Sequence, residues 1–207
     1  MNKNEKFVIT INREAGSGGR TVGAKLAAKL GVPYYDKVVI KGLMEKYKLS
    51  VEEIESMKGR KQDWWSEFKR VVGVGGGLVD SVIDEPDLFY AGDMFRTEVE
   101  ILKGIAASES CVIAGRSGFF VFEDHPNHLS ILITAPLEQR IQRIMRKQGL
   151  TEEEAKKTIE EIDVARENYI NKFTGTSRYD TRNYDLVINM KGKTEDQIAN
   201  MILMYLE

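Results

Sequence analysis

Short apolar runs rich in β-branched residues recur along the chain, and segments with helical periodicity lie between them. The first run, Phe7-Val8-Ile9-Thr10-Ile11-Asn12, is bounded by charged residues and glycine, so it predicts a buried strand. Four later runs predict further short strands, over residues 34–35, 111–114, 129–133 and 185–190.

Helical segments fill the spaces between these strands. Ser50, Thr151 and Thr194 each precede a Glu or Gln by three residues, the signature of a capping box, so helices are expected to begin there. Because strands and helices alternate from end to end, we expect a mostly parallel sheet. Further helices are predicted over 21–30, 94–107 and 136–148, with Gly31 and Gly149 ending the first and the last.

Residues 58–92 show no clear periodicity. They contain Trp64, Trp65 and a glycine-rich run at 73–77. We interpret this part as a helical insertion with a flexible joint, belonging to an insertion of about 44–95 within a single domain of 1–207.

Composition narrows the class of protein. The 207 residues include 42% hydrophobic and 30% charged side chains, which is ordinary for a globular domain. The 30 basic and 32 acidic residues give a net charge of −2, which disfavours nucleic acid as the main partner. The single cysteine, Cys111, cannot form an internal disulfide or a zinc cage. With neither a targeting segment nor a membrane-spanning stretch in the sequence, we expect a cytoplasmic protein.

The strongest chemical signal is the segment Glu14-Ala15-Gly16-Ser17-Gly18-Gly19-Arg20-Thr21, between the first strand and the first helix. There, backbone N–H groups can converge on phosphate oxygens, and the helix N-terminus adds the positive end of its dipole. Against the pattern G-x-x-x-x-G-K-[ST], Gly19 and Thr21 match, Glu14 replaces the first glycine and Arg20 replaces the lysine. Thr21 would offer its hydroxyl to Mg²⁺. The predicted phosphate-binding residues are Gly16, Ser17, Gly18, Gly19, Arg20 and Thr21.

A dinucleotide-binding site is the alternative interpretation of this segment. Gly16-Ser17-Gly18 begins a G-x-G, and Asp36 lies where an acidic residue would hold a ribose. Thr21 occupies the third glycine position, however, and an arginine lies inside the loop. These features favour the phosphate-binding loop.

Arginines form the second signal. Arg116 follows the third strand, at the carboxyl edge of the sheet where open α/β folds bind ligands. Phosphoryl transfer needs several cations around the migrating group, because charge spreads over its oxygens. Further arginines recur every three residues along one predicted helix, and one follows Asp163 by three on the next: Arg140, Arg143, Arg146 and Arg166.

Taken in order, these motifs resemble the cytidylate kinase-like family, relatives of bacterial cytidylate kinases among the nucleoside monophosphate kinases. The resemblance runs over nearly the whole chain. It rests on residues 9–19, on Pro33-Tyr34-Tyr35-Asp36, on 111–116, on 135–143, on Asp163-Val164-Ala165-Arg166 and on 184–189.

This resemblance implies a three-layer, P-loop NTPase-type α/β fold with a five-stranded parallel sheet, a helical lid at about 140–182 and the monophosphate-binding insertion. It implies ATP-dependent transfer of phosphate to a nucleoside monophosphate, CMP or dCMP preferred, with ATP and Mg²⁺ bound, by a monomer or weak homodimer. Arg20 would bridge the donor's terminal phosphates, and Arg140, Arg143 and Arg166 would close over the site. The residues expected to bind the acceptor are Asp36, Arg96, Arg116 and Asp163.

The chain also departs from the family pattern. Arg20 stands where cytidylate kinases carry a lysine, and Lys37 and Gly42 do not match the serine and arginine that follow their second-strand aspartate. Phe119 stands where relatives often have an acidic residue. A non-catalytic nucleotide-binding or regulatory protein is therefore the second hypothesis.

Overall fold

A parallel sheet of five strands organises the described part of the chain. The computed structural model describes residues 1–36, 40, 50, 92–115 and 117–207. The strands are β1 Val8–Arg13, β2 Tyr34–Asp36, β3 Cys111–Ala114, β4 His128–Thr134 and β5 Leu186–Asn189. Their order is β2-β3-β1-β4-β5, and every neighbouring pair is parallel, which confirms the predicted sheet.

Helices connect these strands, as the alternating pattern predicted. They are α1 Gly19–Leu30, α2 Gly92–Ser108, α3 Gly118–Val121, α4 Leu137–Gln148, α5 Glu152–Thr174 and α6 Glu195–Tyr205, with a 3₁₀ turn at Thr181–Asn183. The predictions for 58–92 and for a helix beginning at Ser50 lie outside the described residues. None of the helices that the described ranges contain is long and apolar enough to cross a membrane.

The ends of the helices follow local chemistry. The Thr151 hydroxyl accepts a hydrogen bond from the backbone N–H of Glu154, whose side chain accepts one from the N–H of Thr151. Thr194 and Gln197 form the same reciprocal pair at the start of α6. The capping boxes predicted at Thr151 and Thr194 are therefore confirmed.

Helices cover both faces of the sheet. On one face, Val22 and Leu26 of α1 and Ile198 of α6 pack with Ile9 and Ile11 of β1 in one buried cluster. On the other face, α3 lies so close that a Cβ on Gly118 would come 2.6 Å from Cγ2 of Thr10. The sheet is thus the middle layer of three.

A smaller apolar cluster lies under the phosphate-binding segment. Ile141 and Ile144 of α4 pack with Ile159 and Ile162 of α5, and Ala15 of the loop after β1 joins them. The helices α4 and α5 therefore contact that loop through apolar side chains, in addition to the polar contacts described next.

Candidate phosphate-binding site

The loop between β1 and α1 has the backbone of an anion site. Gly16 and Gly18 have φ values of 74° and 91°, in the left-handed region that glycine tolerates best. Gly18, the N-cap of α1, forms no side-chain capping hydrogen bond, no acid occupies the first turn, and the N–H of Gly19 donates to Oγ of Ser17 at 3.3 Å. The positive dipole end of α1 thus faces the loop with no acid in its first turn to balance it.

Two glycines of this loop lie close to α4. A Cβ built on Gly16 would lie 2.7 Å from the carbonyl oxygen of Arg140, and one built on Gly18 would lie 3.0 Å from Cζ of Arg143. Larger residues at either position would collide with the first turns of α4. The glycines therefore allow α4 and its arginines to approach the loop.

Arg140 binds the backbone and the carboxylates beside the loop. Its Nε donates to the carbonyl oxygen of Ala15 at 2.7 Å, and its guanidinium lies 3.3 Å from Glu14 and pairs with Asp163. Asp163 also accepts the N–H of Ala15 at 2.9 Å, and Glu14 accepts that of Ala135 at 3.0 Å. Two predicted site residues, Arg140 and Asp163, thus meet at the loop, both engaged with the chain's own groups.

Arg178 completes this network and was missed by the sequence analysis. It lies in the loop after α5, is 1% exposed, and donates to the carbonyl oxygen of Arg13. Arg166 donates to the same oxygen at 3.3 Å, and Arg178 lies 3.5 Å from Asp163. Arginines from α5 and from the loop after it therefore converge on the end of β1.

Tyr184 anchors that loop to the sheet. Its hydroxyl donates to the carbonyl oxygen of Arg178 at 2.7 Å and accepts from the Asn12 side chain at 2.6 Å. Burial raises the pKa of Tyr184 to about 12, so the phenol stays protonated and keeps donating.

Arg143 and Glu195 lie at the mouth of the loop. Arg143 pairs with Glu195, the first residue of α6, and both lie within 3.2 Å of where a Gly18 side chain would begin. Partial burial acts to raise the pKa of Glu195, but hydrogen bonds from its own backbone N–H and from Arg143 outweigh it, so the pKa lies below its usual value. The carboxylate is therefore ionised at neutral pH and balances Arg143 beside the loop.

Arg20 and Asp36, both predicted site residues, pair with each other. Arg20 Nη2 lies 2.7 Å from Asp36 Oδ2, whose side chain is 3% exposed at the end of β2. Thr21 is half-buried in the first turn of α1. The roles predicted for Arg20 and Thr21 toward a nucleotide remain predictions.

Of the four residues predicted to bind the acceptor, Asp163 lies at the loop and Asp36 pairs with Arg20, whereas Arg96 lies elsewhere. Arg96 is exposed on α2 and lines a cavity of about 330 Å³ with Phe95, Lys103 and Phe120. Arg116 lies outside the described residues.

Arg13 is the second residue that the sequence analysis missed. Its side chain is buried and lies directly over Gly19, where an added Cβ would be only 2.6 Å from Cβ of Arg13. Its Nη1 reaches the other side, where a Cβ on Gly115, directly after β3, would lie 2.5 Å away. The only signal in the sequence is its position, where the strand ends and the loop begins.

The residues present are compatible with magnesium brought by a nucleotide. The described ranges contain no cluster of three His, Cys, Asp or Glu side chains able to hold a metal ion. Mg²⁺ bound with a nucleotide does not need one, because phosphate oxygens and waters supply most of its ligands. The Thr21 hydroxyl, in the first turn behind the loop, is a suitable protein ligand.

The chain is similar to known proteins over nearly its whole length. The model of the cytidylate kinase-like family matches residues 8–192. A cytidylate kinase from Methanopyrus kandleri is 26% identical over 205 residues, covering 94% of this chain and 90% of that protein. An uncharacterized protein from Eubacterium ventriosum superposes with a TM-score of 0.71 at 23% identity, covering 97% of this chain and 98% of that one. The shikimate kinase of Bacteroides thetaiotaomicron superposes with a TM-score of 0.50 at 15% identity, covering 97% of each chain.

These two structural likenesses show the fold, and the family match confirms the resemblance that the motifs indicated. The chain belongs to the cytidylate kinase-like family.

Proposed function

We propose that the protein transfers the terminal phosphate of ATP to a nucleoside monophosphate, with CMP or dCMP preferred. The observation that carries this proposal is the loop of residues 14–18, which presents glycine backbone at the N-terminus of α1 and lies beside Arg143. The family match and the similarity to a cytidylate kinase support the choice of acceptor.

On the donor side, the loop N–H groups and the dipole of α1 would bind the phosphates of ATP. Thr21 would hold Mg²⁺, which neutralises phosphate charge when bound. Arg143 would exchange Glu195 for phosphate, because the two anions compete for one guanidinium beside Gly18. Arg140 and Asp163 would act by fixing the loop backbone that they bind.

No side-chain nucleophile is required, since the acceptor's own phosphate oxygen attacks the donor's terminal phosphorus. The protein's part is to orient the two phosphates and exclude water, which would otherwise hydrolyse ATP. We propose that Arg116 and Arg96 hold the acceptor phosphate and that Asp36 borders the acceptor. The segment 140–182 would close over both substrates.

A non-catalytic nucleotide-binding protein is the second candidate. The pairing of Arg20 with Asp36 favours it, since the arginine assigned to the terminal phosphates already has a carboxylate partner. Such a protein would bind Mg-ATP without transferring phosphate.

An ADP-coupled assay over CMP, dCMP, UMP, AMP and GMP distinguishes the two candidates. We expect ADP to form with CMP or dCMP well above the rate with ATP alone. Lys29→Ala is the control, because Lys29 lies exposed in the last turn of α1, at the end away from the loop, and should keep wild-type activity. Calorimetric binding of Mg-ATP without ADP formation from any monophosphate would select the second candidate, and no binding at all would refute both.

A further inference from the structure

The Arg13 side chain fills the space that a side chain at position 19 would occupy. A Cβ built on Gly19 would lie 2.6 Å from Cβ and 3.2 Å from Cγ of Arg13. Non-bonded carbon atoms normally stay about 3.5–4.0 Å apart, so a side chain at position 19 and the present path of Arg13 exclude each other. The two positions compete for one place over the loop.

The pair Gly18-Gly19 allows the phosphate-loop pattern to be aligned in two ways. Gly18 is the N-cap of α1, has a φ of 91° and accepts the N–H of Val22 at 3.0 Å, so the helix begins directly after it. If Gly18 is the second glycine of G-x-x-x-x-G-K-[ST], the lysine position falls on Gly19, the Ser/Thr position falls on Arg20, one residue before Thr21, and the first glycine position falls on Arg13. In this alignment the lysine position, at the C-terminal end of the loop, carries no charge. The arginine stands instead at the N-terminal end, at position 13.

The directions of the two arginines support this alignment. Arg20 extends to Asp36 at the end of β2, a strand separated from β1 by β3. Arg13 instead places its guanidinium beside Gly115, at the crevice between the carboxyl ends of β1 and β3. That edge of the sheet is where ligands bind in open α/β folds.

Arg13 is also buried. It is 8% exposed, and hydrogen bonds from Arg166 and Arg178 to its carbonyl oxygen hold its backbone at the end of β1. A guanidinium shielded from water stabilises developing phosphate charge more strongly than one in solvent, and its planar fork can bind two phosphate oxygens at once.

We infer that Arg13 supplies the cation of the phosphate loop, contacting the donor's terminal phosphates in the lysine's place, and that position 19 is glycine because the Arg13 side chain occupies its space. This inference rests on the proposed function for its rate readout, whereas its binding readout stands without turnover.

The test exchanges the two positions. Arg13→Met keeps a long side chain over Gly19 but removes the charge, and we expect it to lower kcat by about 10²–10³ with a much smaller change in KM. Gly19→Lys alone is expected to lose activity because its side chain collides with Arg13. The double variant Arg13→Gly/Gly19→Lys returns the cation from the other end of the loop and should exceed Arg13→Met in kcat by about tenfold or more.

Lys29→Ala controls for removal of an exposed cation, and urea unfolding identifies variants that fail to fold. If one does, Arg13→Gln replaces Arg13→Met, and Arg13→Ala/Gly19→Lys replaces the double variant. A folded Arg13→Met or Arg13→Gln within about threefold of wild-type kcat would overturn the inference. So would a folded double variant no faster than the charge-removed single variant.

Failure of the proposed function is recognised separately. If the wild type forms no ADP with any monophosphate, calorimetry with Mg-ATP replaces the rate assay. Loss of about tenfold or more in Mg-ATP affinity for Arg13→Met, with Lys29→Ala unchanged, supports the inference. Equal Mg-ATP affinity of Arg13→Met and wild type overturns it.

Discussion

Replacing Asp163 by asparagine tests the ionic network under the loop. Asp163 faces Arg140 and Arg178, which are 7% and 1% exposed, and it accepts the N–H of Ala15 at 2.9 Å. Asparagine keeps an oxygen for Ala15 but leaves the two guanidinium groups without that charge. Because water has little access to Arg178, we expect the folded protein to be destabilised.

The magnitude follows from burial. Removing one partner of a buried ion pair costs about 3–5 kcal/mol. Glu14 remains 3.3 Å from Arg140 and compensates part of this, so we expect a loss of about 3 kcal/mol in the free energy of unfolding. In a domain of this size that corresponds to a fall in Tm of about 6–12 °C, or in the urea midpoint of about 1–1.5 M.

Urea unfolding followed by circular dichroism at neutral pH measures this loss. Asp196→Asn is the matched control, because Asp196 pairs with Lys25 at 2.5 Å but its side chain is 56% exposed. Solvent screens an exposed pair of this kind, so Asp196→Asn is expected to leave the urea midpoint nearly unchanged. If Asp163→Asn costs no more than Asp196→Asn, the network does not hold the loop and the reasoning is refuted.

Three further predictions concern the loop and the sheet. Gly18→Val should abolish Mg-ATP binding in calorimetry while the protein stays folded, because the branched side chain would start 3.0 Å from Arg143 in the space of the anion; unchanged affinity would exclude the loop as the site. Glu195→Gln should tighten Mg-ATP binding by about three- to tenfold, since it removes the anion competing for Arg143; weaker binding would contradict this competition. Burial lowers the pKa of His128 from 6.5 to about 4, so the unfolded chain binds more protons between these values and stability falls as the pH drops through them. In urea unfolding, the free energy of unfolding of His128→Gln should therefore change by about 2 kcal/mol less than that of the wild type between about pH 7.5 and pH 5. An identical pH dependence of wild type and variant would contradict the burial of a neutral His128 ring.

The sequence sufficed where structure depends on near neighbours. The capping boxes at Thr151 and Thr194 join residues three apart, and both form as predicted. The strand predicted over 111–114 has the bounds that the structure gives it. Alternation of such elements was enough to predict the parallel sheet.

The network around the loop could not be predicted in this way. Arg178 lies in a segment that reads as a polar loop, yet its partners Asp163 and Arg13 are 15 and 165 residues away. Helical spacing identified Arg140 but not the direction of its guanidinium, which packing against Glu14 and Asp163 determines.

The loop itself shows the same limit. Two adjacent glycines allow two alignments of one pattern, and side-chain directions distinguish them. The Arg20 side chain extends to Asp36, and the Arg13 side chain passes over Gly19. The spacing of residues in the sequence does not predict these directions.

Phosphorus NMR of the wild-type protein with Mg-ATP and CMP tests the central claim most directly, because it follows the transferred phosphate itself. Transfer predicts that the β-phosphate resonances of CDP and ADP grow together as those of ATP decline, with Gly18→Val abolishing the change. Release of inorganic phosphate alone, or an unchanged ATP spectrum in a sample that binds Mg-ATP, would contradict the claim that this loop serves phosphoryl transfer to a nucleoside monophosphate.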